Sequence, residues 1–486
     1  MEKIDRKSGV LLHITSLPNE FGWGCFSASA FRFIDFLKSG GFGIWQVLPF
    51  SECLYENSPY SAISSFAINP YFLDLSEFLS RDEMIELGLN SNSSMFDYNQ
   101  KFDRALELVC EKYRGEYDIK DFEKKSKYWL ENYALFKVIK KHNEFKPWYE
   151  WEDGFKNRVK STLDEFKAKH KSEIDDIKLI QFLLDKQWQK IKTYANLSGI
   201  EIFGDLPFYT ELDSVDVWEN PKNWMLENGK PKQKAGVPPD YFNAEGQLWG
   251  YPIYNFSAMA KNGYDFWLKR IKRQSELYDI LRIDHFNAFS RFWSVPAASK
   301  TAKSGKWVKG VGGTLLKLIT SKCKIKLVAE DLGIVTDEVI ELKNKFEIPG
   351  LKTLVFAFDY VGDNVYQPHN YEKNCVAYIG THDNDTMMGM LNEGNWDKIN
   401  RFKRYLGMPL QEGNDRVIEN SMLALYRSSA NVVILTAQDI LHLGSEARMN
   451  VPGNMYGNWT WQLGHDMDTS LCEKFRDWSS LYGRIK

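Results

Sequence analysis

A chain of 486 residues exceeds the usual size of one domain, yet barrels of alternating strands and helices run to about 250 residues and accept large insertions. Its 65 acidic and 62 basic residues leave a formal net charge of −3, which excludes the basic footprint of a nucleic-acid or anionic-membrane binder and suits a neutral partner. Hydrophobic residues at 43% and charged residues at 26% permit a sizeable core and exclude general disorder, and no apolar run reaches the roughly 18 residues of a membrane span.

In chain order, residues 9–18 open the sequence, followed by a glycine-rich turn through Gly22 and Gly24 and a helical stretch at 31–38. Residues 42–49 read as the first barrel strand, whose end leads into the short loop Asn57–Ser58–Pro59–Tyr60–Ser61. Residues 70–74 are a second, short strand candidate. From 80 to 198 only helical patterns occur: Ile177, Ile180, Leu184, Trp188 and Ile191 share one face, as do Trp129, Tyr133 and Phe136. These stripes predict packing, and the segment predicts a helical insertion closed near Gly199. Residues 200–205 form a third strand with Asp205 at its end. Residues 206–275, rich in proline, glycine and aromatics but without a clean period, predict a loop subdomain over the site.

Strand-like runs then end in Asp284, in Glu330–Asp331, in Asp359, in His382–Asp383 and in Asp439. Counted from residue 43, there are eight strand candidates. The expected fold class is α/β: a single (β/α)8 TIM barrel over residues 1–486, with the helical insertion at 80–198 and the loop subdomain at 206–275. In such a barrel the carboxyl ends of the strands share one face, where the active sites of the fold sit.

The densest of these ends is Arg282–Ile283–Asp284–His285–Phe286, an arginine and a carboxylate closing an apolar run. Charges taken from water must be paired or put to use, so the pair is either a bridge that closes the barrel or part of a site. Several carboxylates in one pocket repel each other, which raises some pKa values and leaves other groups ionised. Two chemistries fit. One is metal-assisted, with Asp284, Glu330, Asp383, His285 and His382 as ligands. The other acts on a glycosidic bond and needs a nucleophile and a proton donor about 5 Å apart for retention.

The aromatics favour sugar: 16 Trp, 24 Tyr and 31 Phe make 15% of the chain, and flat rings with polar edges match sugar faces as well as filling cores. Tyr60, Tyr241, Phe242, Trp249 and Trp293 all fall in loops near the predicted strand ends. Six cysteines, at 25, 53, 110, 323, 375 and 472, show no close pairing or metal-type spacing, and the first residues lack an apolar signal core. A reduced, cytoplasmic protein is expected.

Arg282–Ile283–Asp284–His285–Phe286, Glu330–Asp331–Leu332–Gly333 and Gly380–Thr381–His382–Asp383–Asn384–Asp385–Thr386 together resemble the signatures of the 4-alpha-glucanotransferases, or amylomaltases, of glycoside hydrolase family 77 in the alpha-amylase clan. Trp45–Gln46–Val47–Leu48–Pro49, Ser58–Pro59–Tyr60, Gly236–Val237–Pro238–Pro239–Asp240–Tyr241–Phe242 and Gly444–Ser445–Glu446–Ala447–Arg448–Met449–Asn450 add to the resemblance, which spans residues 9–461.

The resemblance implies a retaining transfer without cofactor or metal, on alpha-1,4-glucans (maltose, maltooligosaccharides, amylose) and glucose, in a barrel lacking the beta-sandwich of many clan relatives. It casts Asp284 as nucleophile, Glu330 as acid and base, and Asp383 as the group that holds the distorted donor sugar. Arg282 would keep Asp284 ionised, Tyr60 would stack on the donor, and Asp205 and His382 would bind its hydroxyls. Asp240 and Trp249 would lie in the loop over the acceptor. Asp205 has a rival reading as a helix cap or a buried bridge partner, His382 as a core histidine and Trp249 as packing. A glucan hydrolase or a non-catalytic glucan-binding protein remains the alternative function. Asn287–Ala288 and Gln462 depart from the arginine–glycine pair and the arginine common in the family, which bears on subsite detail.

Overall fold

The barrel closes through a strand that hydropathy passes over. Lys7–Leu11 pairs in parallel with Val432–Thr436 on one side and Ile44–Gln46 on the other, joining the two ends of the sheet. Gly9 is required there, because a Cβ would stand 2.6 Å from Ile44 Cβ and 2.8 Å from Ile434 Cδ1. The computed structural model describes every residue except 1–2, 55–56, 91–94, 240–243, 334, 455 and 486, and the side chains of 95 and 96.

The other strands, in chain order, are Glu201–Leu206, Ile280–Ile283, Lys326–Ala329, Gly350–Thr353 and Cys375–Tyr378. All eight run parallel and neighbour one another in sequence order around a closed barrel. The number matches the sequence reading, but two members differ. Pro70–Phe72 is a 3-10 turn, not a strand: proline has no N–H for a ladder, and the Asn69 side chain caps the turn at Tyr71 N. The apolar run from Leu354 is also a turn, Leu354–Phe356, while the strand is the preceding Gly350–Thr353, whose Lys352 breaks the hydropathy signal.

Helices Ala28–Ser39, Lys171–Leu197, Asp265–Leu277, Gly312–Lys322, Asp337–Lys345, Asn414–Arg427 and Cys472–Leu481 pack outside the sheet. In the segment between the second and third strands, Lys171–Leu197 buries Ile180, Leu184, Trp188 and Ile191, as its stripe predicts. Trp188 donates its indole N–H to Leu277 O at 2.9 Å and meets Phe50 edge to face at 4.6 Å. Burial of each such large apolar side chain stabilises by about 1.5–3 kcal/mol. Trp129, Tyr133 and Phe136 are likewise buried.

Beyond the third and fourth strands stands a four-stranded antiparallel sheet, in the order Lys306–Lys309, Arg291–Pro296, Gln233–Val237, Gln247–Pro252. Two of its strands come from the segment read as a loop, and two follow the fourth barrel strand. A register shift between Lys234 and Gly236 explains why no clean alternation is visible there. No described helix is long and apolar enough to cross a membrane.

Candidate active site

Side-chain alternation carries the chemistry up from the barrel core. Ile280 belongs to the inner core, so Arg282 and then Asp284 follow on the same face in steps of two. Phe203 leads likewise to Asp205, and Val328 to Glu330. The register sets Arg282 beside Asp205 on one neighbouring strand and beside Val328 on the other. One step on, Glu330 N donates to Ile283 O at 3.1 Å and Phe286 N to Glu330 O at 3.0 Å, which stations Glu330 alongside Asp284. Neighbouring strands lie about 4.8 Å apart.

Arg282 holds two carboxylates at once. Its Nη1 donates to Asp205 Oδ2 at 2.6 Å and its Nη2 pairs with Asp284 Oδ1 at 2.9 Å, a fork that a lysine point charge does not reproduce. Burial works against the guanidinium charge, but Asp205 and Asp284 outweigh it and hold its pKa above the ordinary value. Asp205 is fully buried, and burial pushes its pKa up against the pull of Arg282. Tyr60 donates its hydroxyl to Asp205 Oδ2 at 2.8 Å, lies 2.9 Å from His382 Nε2, and stacks on the His382 ring at 5.3 Å.

Glu330 is fixed by backbone donors. Its Oε2 accepts from His285 N at 2.8 Å and its Oε1 from Leu332 N at 3.0 Å. His285 adopts a positive φ of 47°, a strained conformation for a histidine that aims its N–H at the carboxyl group. Burial, and then repulsion from Asp284, push Glu330 up to about 7 despite Arg282. Burial also pushes His285 down to about 4, so its imidazole is neutral beside Asp284. Asp383, with its side chain 42% exposed, accepts from Asn450 Nδ2 at 2.6 Å through Oδ1. Arg448 braces the same loop by donating to Asp383 O at 2.9 Å and Asn450 O at 2.8 Å.

Tyr60, Trp249, Asp284, His382 and Asp383 all line a cleft of about 1010 Å³, and Glu330 is not part of that lining. Arg282 and Asp205 lie buried in the network behind that wall, so the geometry of Asp205 is that of the bridge partner. Trp249 meets the His285 ring edge to face at 4.8 Å. Asp240, Tyr241 and Phe242 fall outside the described residues. Trp293 is engaged within the antiparallel sheet, donating to Ala302 O at 2.8 Å and packing on Trp307.

Other strand-end acids are structural. Asp331 faces away from Glu330 and is held by Lys343 Nζ at 2.5 Å and Leu351 N at 2.7 Å. Asp439 accepts from Met387 N at 2.7 Å and so caps a neighbouring helix, while Asp359 pairs with Lys398 at 2.6 Å. Gln462 braces the turn after the first strand by donating to Leu17 O at 2.8 Å and Gly22 O at 2.9 Å. The acids and histidines of the metal reading do not converge. Among the described residues, the one His/Cys/Asp/Glu group with ligand atoms mutually within 4.8 Å lies elsewhere, at His142, His170 and Glu173.

Sequence reasoning assigned no role to Asn450, Tyr209, Tyr251 or Trp459, which also line the cleft. Tyr209 and Tyr251 stack at 6.0 Å and extend the aromatic wall beside Trp249. Asn450 stands inside a motif that was legible, whereas the tyrosines lie in a stretch without period and give no local signal.

Barrel, acid pair and aromatic wall together define an enzyme of the class that works on glycosidic bonds. A profile of the 4-alpha-glucanotransferase family matches residues 12–467. The 4-alpha-glucanotransferase of Clostridium butyricum is 39% identical over 492 residues, covering 98% of this chain and 100% of its own. That of Aquifex aeolicus is 40% identical over 490 residues, with 99% of each chain covered. The solved amylomaltase from Streptococcus agalactiae, in complex with acarbose, superposes with a TM-score of 0.94 at 32% identity, covering 99% of this chain and 100% of that one. The chain belongs to the 4-alpha-glucanotransferase family.

Proposed function

We propose that this chain is a 4-alpha-glucanotransferase that moves an alpha-1,4-glucan segment from a maltooligosaccharide or starch donor to the 4-hydroxyl of glucose or another glucan. The observation that carries the mechanism is the Arg282 fork, which pairs with Asp284 while Glu330, on the adjacent strand, is raised to about 7. One carboxylate is thereby suited to attack and the other to donate a proton.

In this reading Asp284 attacks the anomeric carbon and the glycosidic oxygen leaves with the proton of Glu330. The leaving glucan gives way to an acceptor whose hydroxyl loses its proton to Glu330 as it displaces Asp284. Asp383, set by Asn450, holds the hydroxyls of the distorted donor ring, and His382 and Tyr60 border the same subsite. Trp249 and the antiparallel sheet that carries it shape the acceptor side, where a held hydroxyl outcompetes water. The acarbose complex of the Streptococcus agalactiae relative supports this class of partner. The six thiols, none in a disulfide, suit the cytoplasmic location proposed from the sequence.

Incubation with maltotriose alone tests the reading. Glucose and a ladder of longer maltooligosaccharides are expected, with no net gain of reducing ends. A steady rise in reducing ends would assign a hydrolase instead, which shares the acids and differs in its acceptor.

Glu330 also sets a pH dependence. Its raised pKa keeps it protonated below about 7, so kcat/KM is expected to fall as pH rises through that value and the acid is lost. A donor with a fluoride leaving group needs no proton, and its glycosylation step should lack that alkaline limb. An alkaline limb unchanged with the fluoride donor would remove Glu330 as the acid.

A further inference from the structure

The helical segment between the second and third barrel strands carries a side-chain cluster that the transfer reaction leaves unused. His142 ends the helix Leu130–His142, while His170 caps and Glu173 opens the helix Lys171–Leu197. Glu173 Oε1 lies 2.9 Å from His142 Nε2 and 2.8 Å from His170 Nδ1. The two imidazole rings sit only 4.1 Å apart. Phe166 stacks on His170 at 4.3 Å and turns its face or edge to His142 at 5.7 Å, so an apolar wall holds both rings with one nitrogen of each directed at the carboxylate.

As neutral rings both histidines can donate an N–H to Glu173 Oε1, and the same two nitrogens, freed of those protons, are metal ligands. A divalent cation replaces both protons and satisfies two nitrogens and an oxygen together. Lys141 pairs with the other oxygen, Oε2, at 3.3 Å and leaves Oε1 to the histidines. The end of the helix Leu130–His142 carries the negative pole of its dipole, and the acidic Glu173 offsets the opposite polarity at the start of Lys171–Leu197.

We propose that His142, His170 and Glu173 bind one divalent transition-metal ion, with Zn2+ the best match to two imidazoles and a carboxylate. The ion clips the end of one helix to the beginning of another and closes the chain between them. The site is half-exposed and open to the solvent, none of its residues lines the cleft, and the proposal stands apart from the transferase reading.

The test uses the full chain without an affinity tag, stripped with a chelator, dialysed and titrated with Co2+ near neutral pH. The expected result is one saturable equivalent with visible absorption bands, displaced by Zn2+, and a thermal midpoint that rises with Zn2+. His170→Ala and Glu173→Gln should each weaken binding at least ~10-fold while maltotriose conversion is retained. Glu173→Gln keeps the shape and polarity of the side chain, so it decides the matter should His170→Ala fail to fold. Absence of saturable binding, or equal affinity in Glu173→Gln, would overturn the proposal and leave a hydrogen-bonded packing cluster.

Discussion

Asp284→Asn is expected to lower transfer from maltotriose by at least ~10⁴-fold, in kcat more than in KM. Asparagine is nearly isosteric and can still accept from Arg282, so the substitution removes nucleophilicity with little else. The backbone at this point is fixed by Asp284 N donating to Leu206 O at 3.0 Å, and the side chain is 31% exposed toward the cleft, so the fold has little reason to change. Glu330→Gln is the control: it should fail on maltotriose yet still glycosylate from alpha-maltosyl fluoride, whose leaving group needs no proton. An Asp284→Asn enzyme that kept more than about 1% of its activity would place the nucleophile elsewhere.

Arg282→Met is expected to destabilise the fold by ~3–5 kcal/mol and to lower transfer by ~10²–10³-fold. Arg282 is 4% exposed, and its loss strands Asp205, whose side chain is wholly buried. Denaturant midpoints read the first effect and kcat/KM the second. Adding Asp205→Asn to Arg282→Met removes the stranded charge and should recover part of the stability but none of the activity, because Asp284 remains without its partner. Recovery of activity along with stability would mean that Arg282 serves the fold alone.

The convergence of these side chains was legible because strand alternation is strict: once Ile280, Phe203 and Val328 are inside, Arg282, Asp205 and Glu330 must follow on the same face. The same rule separates Glu330 from Asp331, whose neighbour is Lys343. Hydropathy failed where burial came from partners rather than from the strand's own residues. Lys7–Leu11 carries lysine, serine and glycine, yet the first and last elements of a barrel must meet, and only Gly9 lets Ile44 and Ile434 approach. Acids at strand ends also differ in fate for reasons no local pattern holds: Asp439 caps a helix that arrives from another part of the chain. Asn450 escaped assignment because its work is done across 67 residues, on Asp383.

The most direct test of the account is to trap the intermediate. Glu330→Gln mixed with alpha-maltosyl fluoride, quenched in acid and digested, should yield one peptide heavier by a maltosyl group, containing Asp284, because glycosylation proceeds while the missing base stalls the second step. A maltosyl group on a peptide bearing Asp205 or Asp383 instead, or no adduct while fluoride is still released in the first turnover, would contradict a double displacement through Asp284.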